Sequence, residues 1–215
     1  MRTIMVFNPK GGSGKTTLAT NLASYYVNQG QSVLLVDYDP QESSLEWIDA
    51  RDTDKKLIPI YGMSGVEEKI RKFPDTDVMI MDAPAAVHGK DMRELLKLVE
   101  TLVIPVIPSP IDMRAAGHFI EAILSERRVS QKKLRLALVA NRVKERSKAY
   151  HSLEVFLGKA RIPFITHLRD AQVYLRAAET GAGIFDLPER SVARDLEEWQ
   201  PLIKWLKGRG SRPSA

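Results

Sequence analysis

The sequence contains no cysteine, and this absence excludes several classes of chemistry at once. A chain without thiols forms no disulfides, performs no thiol catalysis and cannot by itself ligate an iron–sulfur cluster. No apolar run approaches the roughly 20 residues needed to span a bilayer. The first residues run directly into a strand-like segment, which leaves no room for a signal peptide. We therefore expect a cytoplasmic protein that is soluble or peripheral to a membrane.

The composition is that of an ordinary globular protein with a mild basic excess. Of 215 residues, 44% are hydrophobic and 27% are charged, which suits one α/β domain with a sizeable core. The 32 lysines and arginines exceed the 27 acidic residues, and the formal net charge is +5. An acidic partner such as nucleic acid or anionic lipid is therefore plausible.

Short apolar runs alternate with helical patterns along the chain. The runs predict five buried strands, at residues 3–7, 32–37, 77–82, 101–107 and 134–140. The helical patterns cover residues 15–28, 42–49, 90–99 and 113–127. This alternation predicts an α/β fold with a mostly parallel twisted sheet and helices on both faces, as one domain over residues 1–207. The Gly, Pro and Ser content of residues 208–215 predicts a disordered basic tail.

A glycine-rich loop follows the first predicted strand, where an open α/β sheet places its ligand. Such a loop points its backbone N–H groups at one place, and the first turn of the following helix points its own N–H groups at the same place. This arrangement suits a phosphate chain. Lys15 adds a charge for the β and γ phosphates, and Thr16 offers a hydroxyl to Mg²⁺. The residues predicted to bind ATP here are Gly11, Gly12, Ser13, Gly14, Lys15, Thr16 and Thr17.

The loop departs from the general P-loop pattern, because Pro9 stands where that pattern has its first glycine. The stretch from Lys10 to Thr16 resembles the deviant Walker A motif of the ParA/MinD ATPases, P-loop NTPases whose hallmark is a second lysine early in the loop. Lys10 occupies that place. The resemblance implies that Lys10 reaches across a face-to-face homodimer to the partner's nucleotide, so that dimerisation and ATP binding are one event.

Three aspartates at predicted strand ends complete the expected catalytic set. The segment from Asp37 to Gln41 is similar to the DxDPQ box of the same family, which implies that Asp39 orients the attacking water and Asp37 supports the Mg²⁺ region. Asp82 follows an apolar run and resembles the Walker B aspartate, which implies a role in holding Mg²⁺. Residues 83–90 are then expected to form a switch that senses the γ-phosphate.

Two further segments resemble adenine-contacting parts of partition ATPases. Pro108, Ser109 and Pro110 are similar to their proline-rich loop, and Asn141 with Arg142 is similar to their Asn-Arg strand end. Because the guanine-specific NKxD box is absent from residues 140–143, we expect ATP rather than GTP.

The resemblance extends to about Leu187 and is strongest to short ParA-type partition ATPases of the ParF kind. It implies binding to nonspecific DNA, association with the nucleoid and stimulation by a ParB-like or other adaptor on a cargo, which is a plasmid, a chromosomal region or a protein body such as a carboxysome. Basic residues that would contact DNA phosphates are Lys144, Arg146, Lys148, Arg169 and Arg176.

Two alternatives stay open. The apolar and basic segment 202–207 fits a MinD-like helix on anionic lipid, although the preceding acidic residues, the expected interruption at Pro201 and the helical spacing of Trp199, Leu202 and Trp205 favour packing on a core. A metabolic P-loop enzyme such as a dethiobiotin synthetase is the second alternative. Zero cysteine excludes a nitrogenase-like reductase.

Overall fold

The computed structural model describes residues 1–53, 56–66 and 73–213. The strands in these residues are β1 (Arg2–Val6), β2 (Val33–Asp37), β3 (Tyr61–Ser64), β4 (Val78–Asp82), β5 (Thr101–Val106), β6 (Arg135–Val143) and β7 (Phe164–Arg169). The α-helices are α1 (Lys15–Asn28), α2 (Ser43–Thr53), α3 (Gly89–Lys97), α4 (Pro110–Leu124), α5 (Arg127–Ser130), α6 (Lys148–Gly158), α7 (Gln172–Ala178) and α8 (Glu189–Lys207).

The strands form a sheet in the order β3-β2-β4-β1-β5-β6-β7, which confirms the predicted α/β class. The chain forms two compact units. The first contains Met1–Val6, Lys15–Pro84 and Ala171–Leu196, and the second contains Phe7–Gly14, Ala85–Asp170 and Glu197–Ala215. A single domain over residues 1–207 stays a prediction.

The first unit contains the parallel strands β1, β2, β3 and β4, and apolar side chains of β1, β2 and β4 are buried. β2 pairs with β3 on one side and β4 on the other, and β4 also pairs with β1. In this register Asp37 lies opposite Asp82 at the carboxyl ends of β2 and β4. Both side chains are almost fully buried, and this position is where parallel sheets place their ligands.

The second unit contains the parallel strands β5, β6 and β7. The pairing of β6 with β7 shifts register twice, the second time between Ala140 and Val143. Asn141 and Arg142 lie in this irregular stretch, and Arg142 has a φ of 52°, in the left-handed region. The irregularity buries Asn141 and exposes Arg142.

The five predicted strands and four predicted helices are present with small shifts at their ends, whereas β3 and β7 were missed. β3 is a short edge strand with exposed residues, and its Gly62 backbone lies close to Ile48 and Leu45, where a Cβ atom would be 2.9 Å from the first side chain. β7 carries the polar residues Thr166 and His167 within its six residues. Neither segment has the continuous apolar run that marks a buried parallel strand.

The predicted disorder from Gly208 is wrong over residues 208–213. Residues Arg209–Ser211 form a 3₁₀ turn, and Ser211 is fully buried. The Thr101 hydroxyl donates a hydrogen bond to the Ser211 carbonyl at 2.6 Å, and Arg135 Nε donates to the Gly210 carbonyl at 2.8 Å. These contacts with β5 and β6 order the segment despite its composition. Residues 214–215 lie outside the described residues.

The predicted interruption at Pro201 is also wrong, because α8 continues through it. Proline removes one backbone donor from a helix. In the same turn, the carbonyl of Glu198 accepts a hydrogen bond from the Thr166 hydroxyl at 2.6 Å. The apolar side chains of this part of the helix, Trp199, Leu202, Ile203 and Leu206, are buried. None of the described helices has both the length and the apolar character needed to cross a membrane.

Candidate nucleotide-binding site

Lys15 is the first residue of α1 and is 7% exposed. Burial lowers the pKa of its ammonium group, and attraction by Asp82 and Asp39 partly opposes that shift. The first turn of α1 contains no acidic residue, so nothing on the helix itself neutralises its positive end. Lys15 and Thr16, as predicted, stand at a helix N-terminus suited to anions.

Asp82 is 1% exposed at the end of β4. Within the part of the chain that the structure describes, neither of its carboxylate oxygens has a hydrogen-bond partner of acceptable geometry. Burial raises the pKa of Asp82 to about 7, repulsion by Asp37 and Asp39 adds to the rise, and the nearby Thr16 hydroxyl and Lys15 oppose it. A buried carboxylate without hydrogen bonds is costly unless a cation neutralises it, so Asp82 fits an Mg²⁺ site.

Asp37 has a different environment, although it occupies the equivalent position on β2. One oxygen accepts the Asp39 N–H at 2.8 Å, and the other accepts the N–H and hydroxyl of Ser44 at 2.8 and 2.6 Å. Asp37 therefore holds the loop after β2 and the start of α2 in place. Asp39 accepts the Gln41 N–H at 3.0 Å and is only partly buried, which leaves it accessible to solvent.

In the second unit, the beginning of the glycine loop is fixed by Asn8. Its side-chain amide donates to the Pro105 carbonyl at 2.6 Å, and its side-chain oxygen accepts the Lys10 N–H at 2.9 Å. The Ser13 hydroxyl donates to the Lys10 carbonyl at 3.2 Å. Both the N–H and the carbonyl of Lys10 are therefore hydrogen-bonded within the loop.

The end of the loop is fixed by Asn141, whose side-chain amide donates to the Ser13 carbonyl at 2.9 Å. Gly14 has a φ of 90°, and a Cβ atom there would lie 2.0 Å from the same amide nitrogen. Gly11 and Gly12 have open space where a Cβ would be. Asn141, predicted as an adenine contact, thus positions the phosphate loop in this structure.

The proline-rich segment is the N-terminal cap of α4. Ser109 is the N-cap and its hydroxyl accepts the Asp112 N–H, while Pro110 occupies the start of the helix. Arg142 is exposed, and its Nε lies 3.6 Å from an Asp170 carboxylate oxygen. Adenine contacts stay predictions for five residues: Pro108, Ser109, Pro110, Asn141 and Arg142.

The predicted DNA contacts fall in both units. Lys144, Arg146 and Lys148 are exposed on the connection between β6 and α6 and on the first turn of α6, and Arg169 is partly buried at the end of β7. Arg176 is exposed on α7 and belongs to the first unit.

Sequence reasoning missed two residues that position the site, Asn8 and Ser44. Asn8 directly follows the apolar run that ends at Phe7. The structure buries this polar residue fully, so it needs a hydrogen-bond partner. Ser44 stands at the start of α2, where a hydroxyl usually signals a helix terminus. Both signals were visible in the sequence, but their partners were not.

Comparison with known proteins shows the family. Residues 4–183 match the model of the CobQ/CobB/MinD/ParA nucleotide binding domain, so the chain belongs to this family and the predicted ParA/MinD relationship is confirmed. The chain is 32% identical over 193 residues to the maintenance of carboxysome distribution protein A of Halothiobacillus neapolitanus, covering 87% of this chain and 88% of that protein.

Two solved structures share the fold. A plasmid partition protein of Borrelia burgdorferi B31, bound to AMPPNP, matches with a TM-score of 0.71 and 16% identity over 94% of this chain and 98% of that one. Cobyrinic acid a,c-diamide synthase of Mycobacterium smegmatis, with a bound ATP analogue and magnesium, matches with a TM-score of 0.67 and 18% identity over 100% and 98%. The fold therefore occurs in partition proteins and in a metabolic enzyme.

Proposed function

We propose that this chain is an ATP hydrolase of the ParA type, which dimerises on ATP, binds nonspecific DNA and positions a cargo through an adaptor protein. The observation that carries the proposal is the buried carboxylate of Asp82, whose oxygens have no hydrogen-bond partner of acceptable geometry among the described residues. It belongs to the same unit as Lys15 and Thr16, which lie at the start of α1. The 32% identical carboxysome-distribution relative supports positioning of a cargo. Among cargoes, it favours a protein body over a plasmid or chromosomal region.

In this proposal the ATP phosphates bind at the start of α1, where the ammonium of Lys15 and backbone N–H groups meet them. Asp82 and Thr16 hold Mg²⁺, with Asp37 supporting the region through the loop that it anchors. The metal supplies charge neutralisation for the transferred phosphoryl group. Asp39 accepts a hydrogen bond from the attacking water and orients it, which requires the access to solvent that it has.

Lys10 acts in the dimer, by contacting the phosphates bound to the partner subunit. The contacts of its backbone with Asn8 and Ser13 place the lysine at a defined position in the loop. A charge delivered by a second subunit makes hydrolysis dependent on assembly, as an arginine finger does in other NTPases.

The test compares Lys15→Ala with Lys10→Ala. Lys15→Ala is expected to lose ATP binding, because the buried charge beside the phosphates is removed. Lys10→Ala is expected to bind ATP as a monomer but to lose ATP-dependent dimerisation and hydrolysis. Equilibrium dialysis with labelled ATP measures binding, and light scattering measures dimerisation. Lys97→Ala, at an exposed position on α3 outside residues 83–90, is the control. Normal ATP-dependent dimerisation of Lys10→Ala would refute the role in trans.

DNA binding is expected to require ATP, to be independent of sequence and to weaken steeply with salt, because each phosphate contact releases counterions. Lys144→Glu and Arg146→Glu should each lower affinity for all sequences alike and reduce the salt slope by about 1. Arg127→Glu is a matched charge reversal at the exposed start of α5, where an acidic residue is tolerated. Filter-binding at several salt concentrations measures DNA affinity and its salt dependence. Equal DNA affinity with and without ATP would contradict the proposed dependence of DNA binding on ATP.

A MinD-like membrane function has less support. Leu202, Ile203 and Leu206, which would enter lipid, are 4% exposed or less. A lipid-binding helix needs its apolar face available.

A metabolic role like that of cobyrinic acid a,c-diamide synthase differs in what should stimulate ATP turnover. A metabolic enzyme should require a small-molecule acceptor, whereas a positioning ATPase should respond to DNA together with an adaptor.

A further inference from the structure

Three potential metal ligands converge in the second unit, on residues that the proposed function does not use. Glu145 lies on the connection after β6, His167 on β7 and Glu198 on α8. One ligand atom from each of the three lies within 4.8 Å of the other two. The residues are 22 and 31 positions apart in sequence, so only the fold brings them together.

The carboxylate of Glu198 is held by the backbone of β7, and the side chains of His167 and Glu145 contact each other. His167 Nε2 lies 3.3 Å from Glu145 Oε1. Glu198 Oε2 accepts the Arg169 N–H at 2.7 Å, and the Glu198 carbonyl accepts the Thr166 hydroxyl at 2.6 Å. Two of the three candidate ligands are therefore on regular elements whose relative position is set by hydrogen bonds, which is the rigidity that a metal site needs.

The other ring nitrogen of His167, Nδ1, also has a hydrogen-bond partner. The Tyr150 hydroxyl lies 3.1 Å from His167 Nδ1 and 3.4 Å from Glu154 Oε1. With Nε2 bound to a metal, the ring proton sits on Nδ1 and is donated to the Tyr150 oxygen, while the phenol donates to Glu154. Metal-bound histidines are commonly oriented in this way.

We propose that Glu145, His167 and Glu198 form a binding site for a divalent transition-metal ion, with Zn²⁺ as the best match. One imidazole nitrogen and two carboxylate oxygens are ligands that Zn²⁺ accepts, and two carboxylates balance its charge. Mg²⁺ prefers oxygen ligands alone. Three protein ligands leave a position for water, and the ion would join β7, α8 and the connection after β6.

The test measures Zn²⁺ binding to the chelator-treated full chain by isothermal titration calorimetry and by equilibrium dialysis with elemental analysis, in excess Mg²⁺. One Zn²⁺ per chain at micromolar concentration is expected. His167→Gln should weaken this binding at least 100-fold. His118→Gln is the matched control, because this exposed histidine on α4 is one of the four in the chain and lies outside the cluster. Unchanged binding by His167→Gln, or no binding by the wild type, would overturn the proposal.

Two further measurements separate ligation from a structural role. Zn²⁺ should raise the Tm of the wild type by binding the folded protein. Glu145→Gln, at an exposed position, should abolish this rise while leaving the Tm of the metal-free protein unchanged. Tyr150→Phe should weaken Zn²⁺ binding by about 10-fold or more, because it removes the hydroxyl that is hydrogen-bonded to the ligand His167. In ¹⁵N spectra of histidine rings, Zn²⁺ should shift Nε2 of His167. A shift confined to the other histidines would show adventitious binding and refute the site.

Discussion

Replacing Asp82 with asparagine should stabilise the metal-free protein at neutral and alkaline pH. The carboxylate of Asp82 is 1% exposed and has no hydrogen-bond partner among the described residues, so its ionised form destabilises the fold until a cation binds. Asparagine has nearly the same shape and carries no charge. The substitution would remove the buried charge while keeping the packing.

The sign and size of the effect follow from the pKa of Asp82, which rises from 3.8 to about 7 on folding. The folded protein binds this proton more tightly than the unfolded chain. The resulting stabilisation is complete below the unfolded pKa and is lost as the pH rises through 7. The shift corresponds to about 4 kcal/mol at most. The difference in the free energy of unfolding between Asp82→Asn and wild type should be small at pH 4 and largest at pH 8.

Urea denaturation followed by tryptophan fluorescence at pH 4 to 8, with EDTA, measures this difference. Mg²⁺ should stabilise the wild type at pH 8 and leave Asp82→Asn unchanged. Asp37→Asn is the matched control. Its carboxylate accepts three hydrogen bonds, two of them from Ser44, so this variant should lose stability. Lower stability of Asp82→Asn than wild type at pH 8 in EDTA would refute the reasoning.

The remaining predictions concern the glycine loop and hydrolysis. Gly14→Ala should lower ATP affinity more than 10-fold, because it forces a φ of 90° on alanine and puts a Cβ 2.0 Å from the Asn141 amide. Gly158→Ala, at the end of α6 with open space around it, should bind ATP normally. Fluorescent ATP titrations compare the two, and equal affinities would contradict the described loop. Asp39→Ala should bind ATP and form a long-lived dimer that stays on DNA, since the water is no longer oriented while the phosphate site remains. Single-turnover hydrolysis at the wild-type rate would remove Asp39 from the mechanism.

The sequence predicted well wherever a feature depends on neighbouring residues. The first strand, the glycine loop and α1 are contiguous, so their order and chemistry are readable without the fold. The positions of Asp37, Asp39 and Asp82 are likewise readable, since each ends or follows an apolar strand, whereas their roles in the site stay predictions. β3 and β7 were missed because their stability comes from pairing with other strands rather than from an apolar run.

By itself, the sequence determined the class of protein, and it predicted the residue types of the phosphate site, since both depend on short local patterns. Tertiary structure decided what each residue does. Asp37 and Asp82 look equivalent in sequence. The carboxylate of Asp37 is hydrogen-bonded through both oxygens, whereas that of Asp82 has no hydrogen-bond partner of acceptable geometry among the described residues. Asn141 fixes a loop residue 128 positions away, and Ser211 is ordered by Thr101 of β5. Hydrogen bonds and burial between distant segments exist only once the chain has folded, because no local pattern encodes them.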